Sequence, residues 1–217
     1  MRITHLGHAA VLVETDRARI LIDPGNFSGS WHGLTDLDAV LLTHVHPDHL
    51  DPEHVPALLA ANPSARVYTE PSIPQLLAAL DLDARALTPV AAFDEVTVGD
   101  LSVQVVGGAH AEIHRDLPRI GNVGFVLRSE GEPSLFHPGD SLTAVPAAVD
   151  VLALPAYGPW AALKETIDFV RAVGALEVFP IHEGLLNERG VSLVVSRTNE
   201  LTSSRVVDLR SGTAHTF

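Results

Sequence analysis

The chain of 217 residues contains no cysteine. That excludes disulfides, iron–sulfur clusters and thiolate metal ligands, and it is compatible with a reducing, cytoplasmic location. No apolar run approaches the ~18 residues of a membrane span. The start Met1-Arg2-Ile3-Thr4-His5 has no long apolar stretch and no cleavage signal, so secretion is not expected. Cations are scarce: 14 Lys and Arg face 27 Asp and Glu, a formal net charge of −13. Such a balance excludes generic binding to nucleic acid or to anionic membranes, which needs a positive field. It does not exclude a small cationic pocket. Aromatics are few, at 5%. Charged residues are only 19% against 46% hydrophobic ones, which suits a well-filled globular core rather than disorder. The length suits one domain over residues 1–217, and nothing in it decides whether the chain forms a homo-oligomer.

What the chain does have is histidine. His44-Val45-His46-Pro47-Asp48-His49 directly follows the apolar run Ala39-Val40-Leu41-Leu42-Thr43. Imidazole nitrogen and carboxylate oxygen are the donors that Zn²⁺ and Fe²⁺ favour. Residues two apart on extended backbone point the same way, so His44 and His46 can grip one ion together. Asp48 and His49 are adjacent and diverge, so they can face a second ion. A His-rich exposed loop would not follow a buried-type strand with four donors in register.

Elsewhere the chain alternates strands and helices. Short strands are expected at Arg2 to Leu6, Ala10 to Glu14 and Arg19 to Ile22, then Ala39 to Thr43 and Arg66 to Thr69. Hairpins are expected around Gly99-Asp100 and Glu130-Gly131-Glu132. Further strands are expected at Val151 to Leu154, Glu177 to Ile181 and Arg205 to Leu209. Helices are expected from Asp51-Pro52-Glu53, with Asp51 as N-cap rather than ligand, and from Ser72 or Ile73 to Leu80. Two more are expected over Ala161 to Val173 and Val191 to Leu201. Asn26 to Leu34 reads as a loop. Periodicity by itself gives an α/β fold.

Later landmarks sit where strands end: Gly108-Ala109-His110, Pro138-Gly139-Asp140-Ser141 and Pro180-Ile181-His182. With the His-x-His-x-Asp-His run, they make the chain resemble the metallo-β-lactamase superfamily over most of its length. Ile3-Thr4-His5-Leu6-Gly7-His8-Ala9 and Leu21-Ile22-Asp23-Pro24 are similar to the branch of L-ascorbate-6-phosphate lactonases and uncharacterised metal-dependent hydrolases. The resemblance implies a four-layer αββα sandwich and a dinuclear, metal-dependent hydrolase acting on a small-molecule lactone, ester or phosphodiester through a metal-bound hydroxide. It implies His44, His46 and His110 on one ion, Asp48, His49 and His182 on the other, and Asp140 bridging both. The ions would be two divalent metals, zinc ahead of manganese or iron. A nuclease or RNA-processing phosphodiesterase and an iron oxygenase are the alternatives on the same fold. No membrane or nucleic-acid partner is expected.

Around those seven, Asp48 is also expected to orient the nucleophile or shuttle a proton. His8 is expected to contact substrate or support the ligands. His114, four residues from His110, is the rival of His110 or a residue of the pocket edge, if a helical turn joins them. Asp23 is placed either as an orienting partner of a ligand histidine or as a strand-ending turn. His137 reads as core. Phe27 to Gly33, Arg115 to Asn122 and Tyr157 to Trp160 are expected to frame the entrance, with Arg115 and Arg119 the nearest cations.

Overall fold

The computed structural model describes residues 1–78 and 87–217. Two seven-stranded sheets stack face to face. The first holds β1 (Arg2–Gly7), β2 (Ala10–Glu14), β3 (Arg19–Ile22), β4 (Ala39–Leu42), β5 (Arg66–Thr69), β6 (Leu87–Pro89) and β14 (His215–Thr216), in the order β14-β1-β2-β3-β4-β5-β6. β1 to β3 form an antiparallel meander, and β3 to β6 run parallel. The second holds β7 (Glu95–Val98), β8 (Leu101–Gly107), β9 (Val123–Arg128), β10 (Leu135–His137), β11 (Val151–Pro155), β12 (Glu177–Ile181) and β13 (Arg205–Val206), in the order β13-β12-β11-β10-β9-β8-β7. It too is antiparallel at one end and parallel at the other.

Strand alternation builds the layers. Ile3, Val11, Val13, Ile20, Ile22 and Leu41 point inward and meet Val103, Val105, Phe125, Leu127 and Phe179 of the second sheet. Their neighbours Leu12, Leu21, Val40 and Leu42 point outward, onto Val55 and Leu58 of α1 (Val55–Ala61) and Ile73 and Leu77 of α2 (Ile73–Ala78). On the opposite outer face Val126, Phe136, Leu152 and Val178 pack on Phe169, Val170 and Val173 of α3 (Leu163–Val173), and α4 (Glu188–Leu201) lies beside it. Parallel strands covered on both faces must be apolar at every position. That is why Ala39–Leu42 and Val151–Pro155 are buried throughout. The result is the αββα sandwich. Among the described residues no helix is long and apolar enough to cross a membrane.

Several boundaries differ from expectation. α1 begins at Val55, because Asp51-Pro52-Glu53 forms a turn ahead of the helix. The N-cap position is therefore His54, not Asp51 as expected, and Asp51 Oδ1 instead braces the turn before it, accepting the amides of Glu53 (2.9 Å) and His54 (3.4 Å). α4 starts earlier, at Glu188, where Asn187 accepts the amides of Arg189 and Gly190, both at 3.1 Å. The closing strand is only Arg205–Val206. The expected end of α2 at Leu80 lies outside the described residues.

Candidate metal centre

The ligand run leaves β4 and turns at once: the amides of His49 and Leu50 both bond to the carbonyl of His46 (3.0 and 2.9 Å). The turn throws four side chains towards one end of the sandwich. His110 arrives from the loop after β8, Asp140 from the loop after β10, and His182 directly after β12. Two groups of donors result, each with its atoms within 4.8 Å of one another: His44, His46, His110 and Asp140, and His8, Asp48, His49 and His182. The seven residues expected from the sequence are all brought together, split between the groups as expected. Asp140 joins them. Its Oδ2 lies 3.3 Å from His110 Nε2 and 3.1 Å from His182 Nε2, and its Oδ1 lies 3.0 Å from His49 Nε2.

Most of these rings present one nitrogen to the centre because the other is already used. His49 Nδ1 donates to Asp23 Oδ2 (2.7 Å), His110 Nδ1 to the Ala111 carbonyl (2.6 Å), and His182 Nδ1 to the Tyr157 carbonyl. His44 Nδ1 lies 3.0 Å from Thr43 Oγ1, which donates to Asp23 Oδ2 (2.6 Å) and so accepts from His44. Each leaves Nε2 with its lone pair facing the centre. His44 Nε2 and His46 Nδ1 converge at 3.1 Å. Asp23 is thus a fully buried orienting residue, also accepting the Thr43 amide at 2.8 Å.

His8 differs. Distance groups it with the second set, but its Nδ1 accepts the Gly184 amide (3.1 Å). A neutral ring then carries its proton on Nε2, which donates to Asp48 Oδ2 (3.1 Å). The hydrogen-bond pattern therefore makes His8 a partner of Asp48 rather than an eighth ligand. Its carbonyl accepts from His5 Nε2 (2.8 Å) and from the His182 amide (2.9 Å), while Glu183 Oε1 accepts the His8 amide (3.1 Å). Sequence reasoning missed Glu183. It also missed Asn122, whose Oδ1 accepts the Asp140 amide at 2.9 Å.

His8, Asp23 and His182 all adopt left-handed backbone, with φ of 52°, 48° and 58°. Non-glycine residues are held there only when the surroundings fix them, and such strain gathers at functional sites. Gly25 matters through close approach: a Cβ there would lie 1.7 Å from the Asp48 carbonyl oxygen.

The electrostatics follow from burial. Burial works to raise the Asp140 carboxyl, but the charge of His49 and the flanking His110 and His182 outweigh it and hold it well below the usual range. Asp48 is lowered too, by His182 and His8 against burial. Burial pushes His44 well down, helped by His49. His182 goes the other way: Asp140 overcomes burial and raises it to about 9.

His114 is in neither group. Its side chain is 58% exposed and faces Asp116, because no helical turn joins it to His110. His137 is buried with Nε2 3.1 Å from the Ala9 carbonyl, a core role. Trp31 is buried and donates to the Gly25 carbonyl (3.0 Å). Trp160 donates its indole N–H to Asp140 Oδ2 at 3.1 Å. Arg119 Nε is spent on the His110 carbonyl (2.7 Å).

A family profile described as "Beta-lactamase superfamily domain" matches residues 2–182. Protein Rv0786c of Mycobacterium tuberculosis is 39% identical over 218 residues, covering 100% of both chains. A UPF0173 metal-dependent hydrolase of Sinorhizobium medicae is 33% identical over 153 residues, 65% of this chain and 63% of that protein. The solved structure of Igni18, described as a novel metallo hydrolase from Ignicoccus hospitalis, shares the fold with a TM-score of 0.77 at 18% identity, covering 100% of this chain and 97% of that one. The chain belongs to the beta-lactamase superfamily, with the αββα fold that Igni18 also has.

Proposed function

We propose that the chain hydrolyses a small ester or lactone, using two divalent ions, zinc in the first place. His44, His46 and His110 would hold one, Asp48, His49 and His182 the other, and Asp140 would be shared. One observation carries this reading. His49 Nε2, His110 Nε2, His182 Nε2 and Asp140 Oδ1 are buried without a hydrogen-bond partner, although they lie close together. Unpaired buried polar atoms cost about 1–3 kcal/mol each. Three imidazole nitrogens and a carboxylate oxygen converging in one buried place suit a cation, and the all-nitrogen and oxygen set suits Zn²⁺, Mn²⁺ or Fe²⁺.

Divalent ions held there supply Lewis acidity, bringing the pKa of water towards ~7 and polarising an acyl oxygen. The chain supplies placement and proton handling. Asp140 stays ionised and is fixed from three sides, by Asn122 at its backbone, Trp160 at Oδ2 and the histidines around it. Asp48 is 20% exposed, so one side of its carboxylate reaches the open face of the centre. It can accept a proton from an incoming water and return it to the leaving oxygen, while His8 Nε2–H holds its Oδ2 in place. With a net charge of −13 and Arg119 Nε already engaged, a nucleic-acid substrate is disfavoured.

The test is turnover by zinc- and manganese-loaded protein of a panel of p-nitrophenyl esters, lactones and bis(p-nitrophenyl) phosphate. Ester or lactone hydrolysis, abolished by chelation and strongly reduced in His8→Ala, is expected. Turnover of the phosphodiester alone would replace this reading.

A further inference from the structure

Apolar side chains stand at the edge of the centre. Phe27 is 48% exposed, with its ring centroid 4.8 Å from that of His8. On the side of the other donor group, Ile113 and Leu117 line a narrow cavity of about 30 Å³ together with His46 and His110. They are 38% and 55% exposed. Trp160 stands between, its ring centroid 6.1 Å from that of His110 and 5.9 Å from that of His182. Its one polar atom is already bonded to Asp140, so only carbon is left for a ligand to touch. Exposed apolar side chains scattered singly need no explanation. These four are not scattered: they flank a centre of histidines and carboxylates on both sides.

The cation lining the same cavity is Arg119, and Glu112 lines it too. Arg115 is 84% exposed and lies 3.8 Å from Asp116, and Arg119 is held through Nε by the His110 carbonyl. Glu112 stands in the same loop, and the chain's single lysine, Lys164, is at the start of α3. Among the described residues the entrance has no buried cationic cradle for a phosphate or carboxylate.

We propose that the substrate presents an uncharged apolar group, an aliphatic acyl chain or an aryl ring, to the rim of Phe27, Ile113, Leu117 and Trp160, and that phosphorylated substrates are rejected. The inference deepens the ester or lactone reading and rests on it for the bond that is cut. A neutral chain gains by leaving water, with up to about fourfold in affinity per fully buried methylene. A half-exposed rim recovers part of that.

Two arms test it separately. In the binding arm, acetamide, octanamide and hexyl phosphate are titrated into metal-free protein while Trp160 emission is followed, with Trp160→Phe as the blank. Octanamide should bind at least tenfold more tightly than acetamide and hexyl phosphate. Phe27→Ser and Leu117→Ser, at positions 48% and 55% exposed, should each remove most of that preference. In the kinetic arm, zinc-loaded protein should show KM for p-nitrophenyl octanoate at least tenfold below that for the acetate, and both serine variants should narrow the gap. Octanamide binding without ester turnover leaves the apolar rim standing and removes the ester reading. Equal binding of the three ligands, or a preference for hexyl phosphate, overturns the proposal. So does a concentration-dependent dimer that Phe27→Ser dissolves in a protein with no alkyl preference, since the rim would then be a contact between copies.

Discussion

Asp23 Oδ2 lies 2.7 Å from His49 Nδ1, and both side chains are fully buried. The same oxygen accepts the Thr43 hydroxyl, and Thr43 in turn faces His44 Nδ1. One carboxylate on the end of β3 therefore sets the ring orientation of a histidine in each donor group. Removing such an orienting partner typically costs 10- to 100-fold in metal affinity, as an order of magnitude. Asp23→Asn is expected to weaken zinc retention by about that factor, seen by competition with a chromophoric chelator. Unchanged affinity in a folded variant would reduce Asp23 to a strand-ending turn residue.

Asp140 and Asp51 are both buried aspartates near histidines, yet they predict opposite phenotypes. Asp140→Ala should abolish activity and release metal, because its oxygens face three imidazoles of the proposed centre. Asp51→Ala should lower stability by about 1 kcal/mol, the usual cost of lost side-chain bonds to a turn, and leave metal content intact. Equal metal loss in both would move the shared carboxylate elsewhere.

Loading with metal should release protons at pH 7. His182 in the metal-free protein is raised to about 9, and His49 is raised by Asp140 and Asp23 against burial. Ligation needs the neutral ring. The calorimetric heat of zinc binding should therefore vary with the ionisation enthalpy of the buffer. The sign for stability follows from the same shift. A raised imidazole contributes fully below its ordinary value of about 6.5 and loses that contribution as pH rises through about 9. The melting temperature of chelated protein should fall across that window. Buffer-independent heat and a flat profile would contradict the assignment.

Gly25→Ala should act on the centre from a distance. Its Cβ would need to occupy space held by the Asp48 carbonyl, so the turn carrying Asp48 and His49 must shift. Activity should fall at least tenfold with the far-ultraviolet dichroism of the fold retained. Wild-type kinetics would show that the turn tolerates displacement.

The ligand run was legible because four donors are adjacent in sequence and follow an apolar strand. His110, Asp140 and His182 were legible because each ends a strand with a clear apolar pattern. What stayed hidden depends on partners far along the chain. His8 reads as a substrate contact or a support for the ligands until the Gly184 amide, 176 residues away, is seen at its Nδ1. The bonds of Trp160 and Asn122 to Asp140 leave no pattern in the sequence. The edge strands Leu87–Pro89 and His215–Thr216 are too short for periodicity, and one contains proline. His114 was drawn in by a four-residue spacing that matters only on a helix, and Ala111 to Arg119 is not helical.

The proposed two-ion centre is tested most directly by counting ions. Protein stripped by chelation, reloaded with zinc and freed of excess should hold two ions per chain by elemental analysis. His182→Ala should retain one. A saturating content of one ion in the native chain, unchanged in His182→Ala, would contradict the shared Asp140 site.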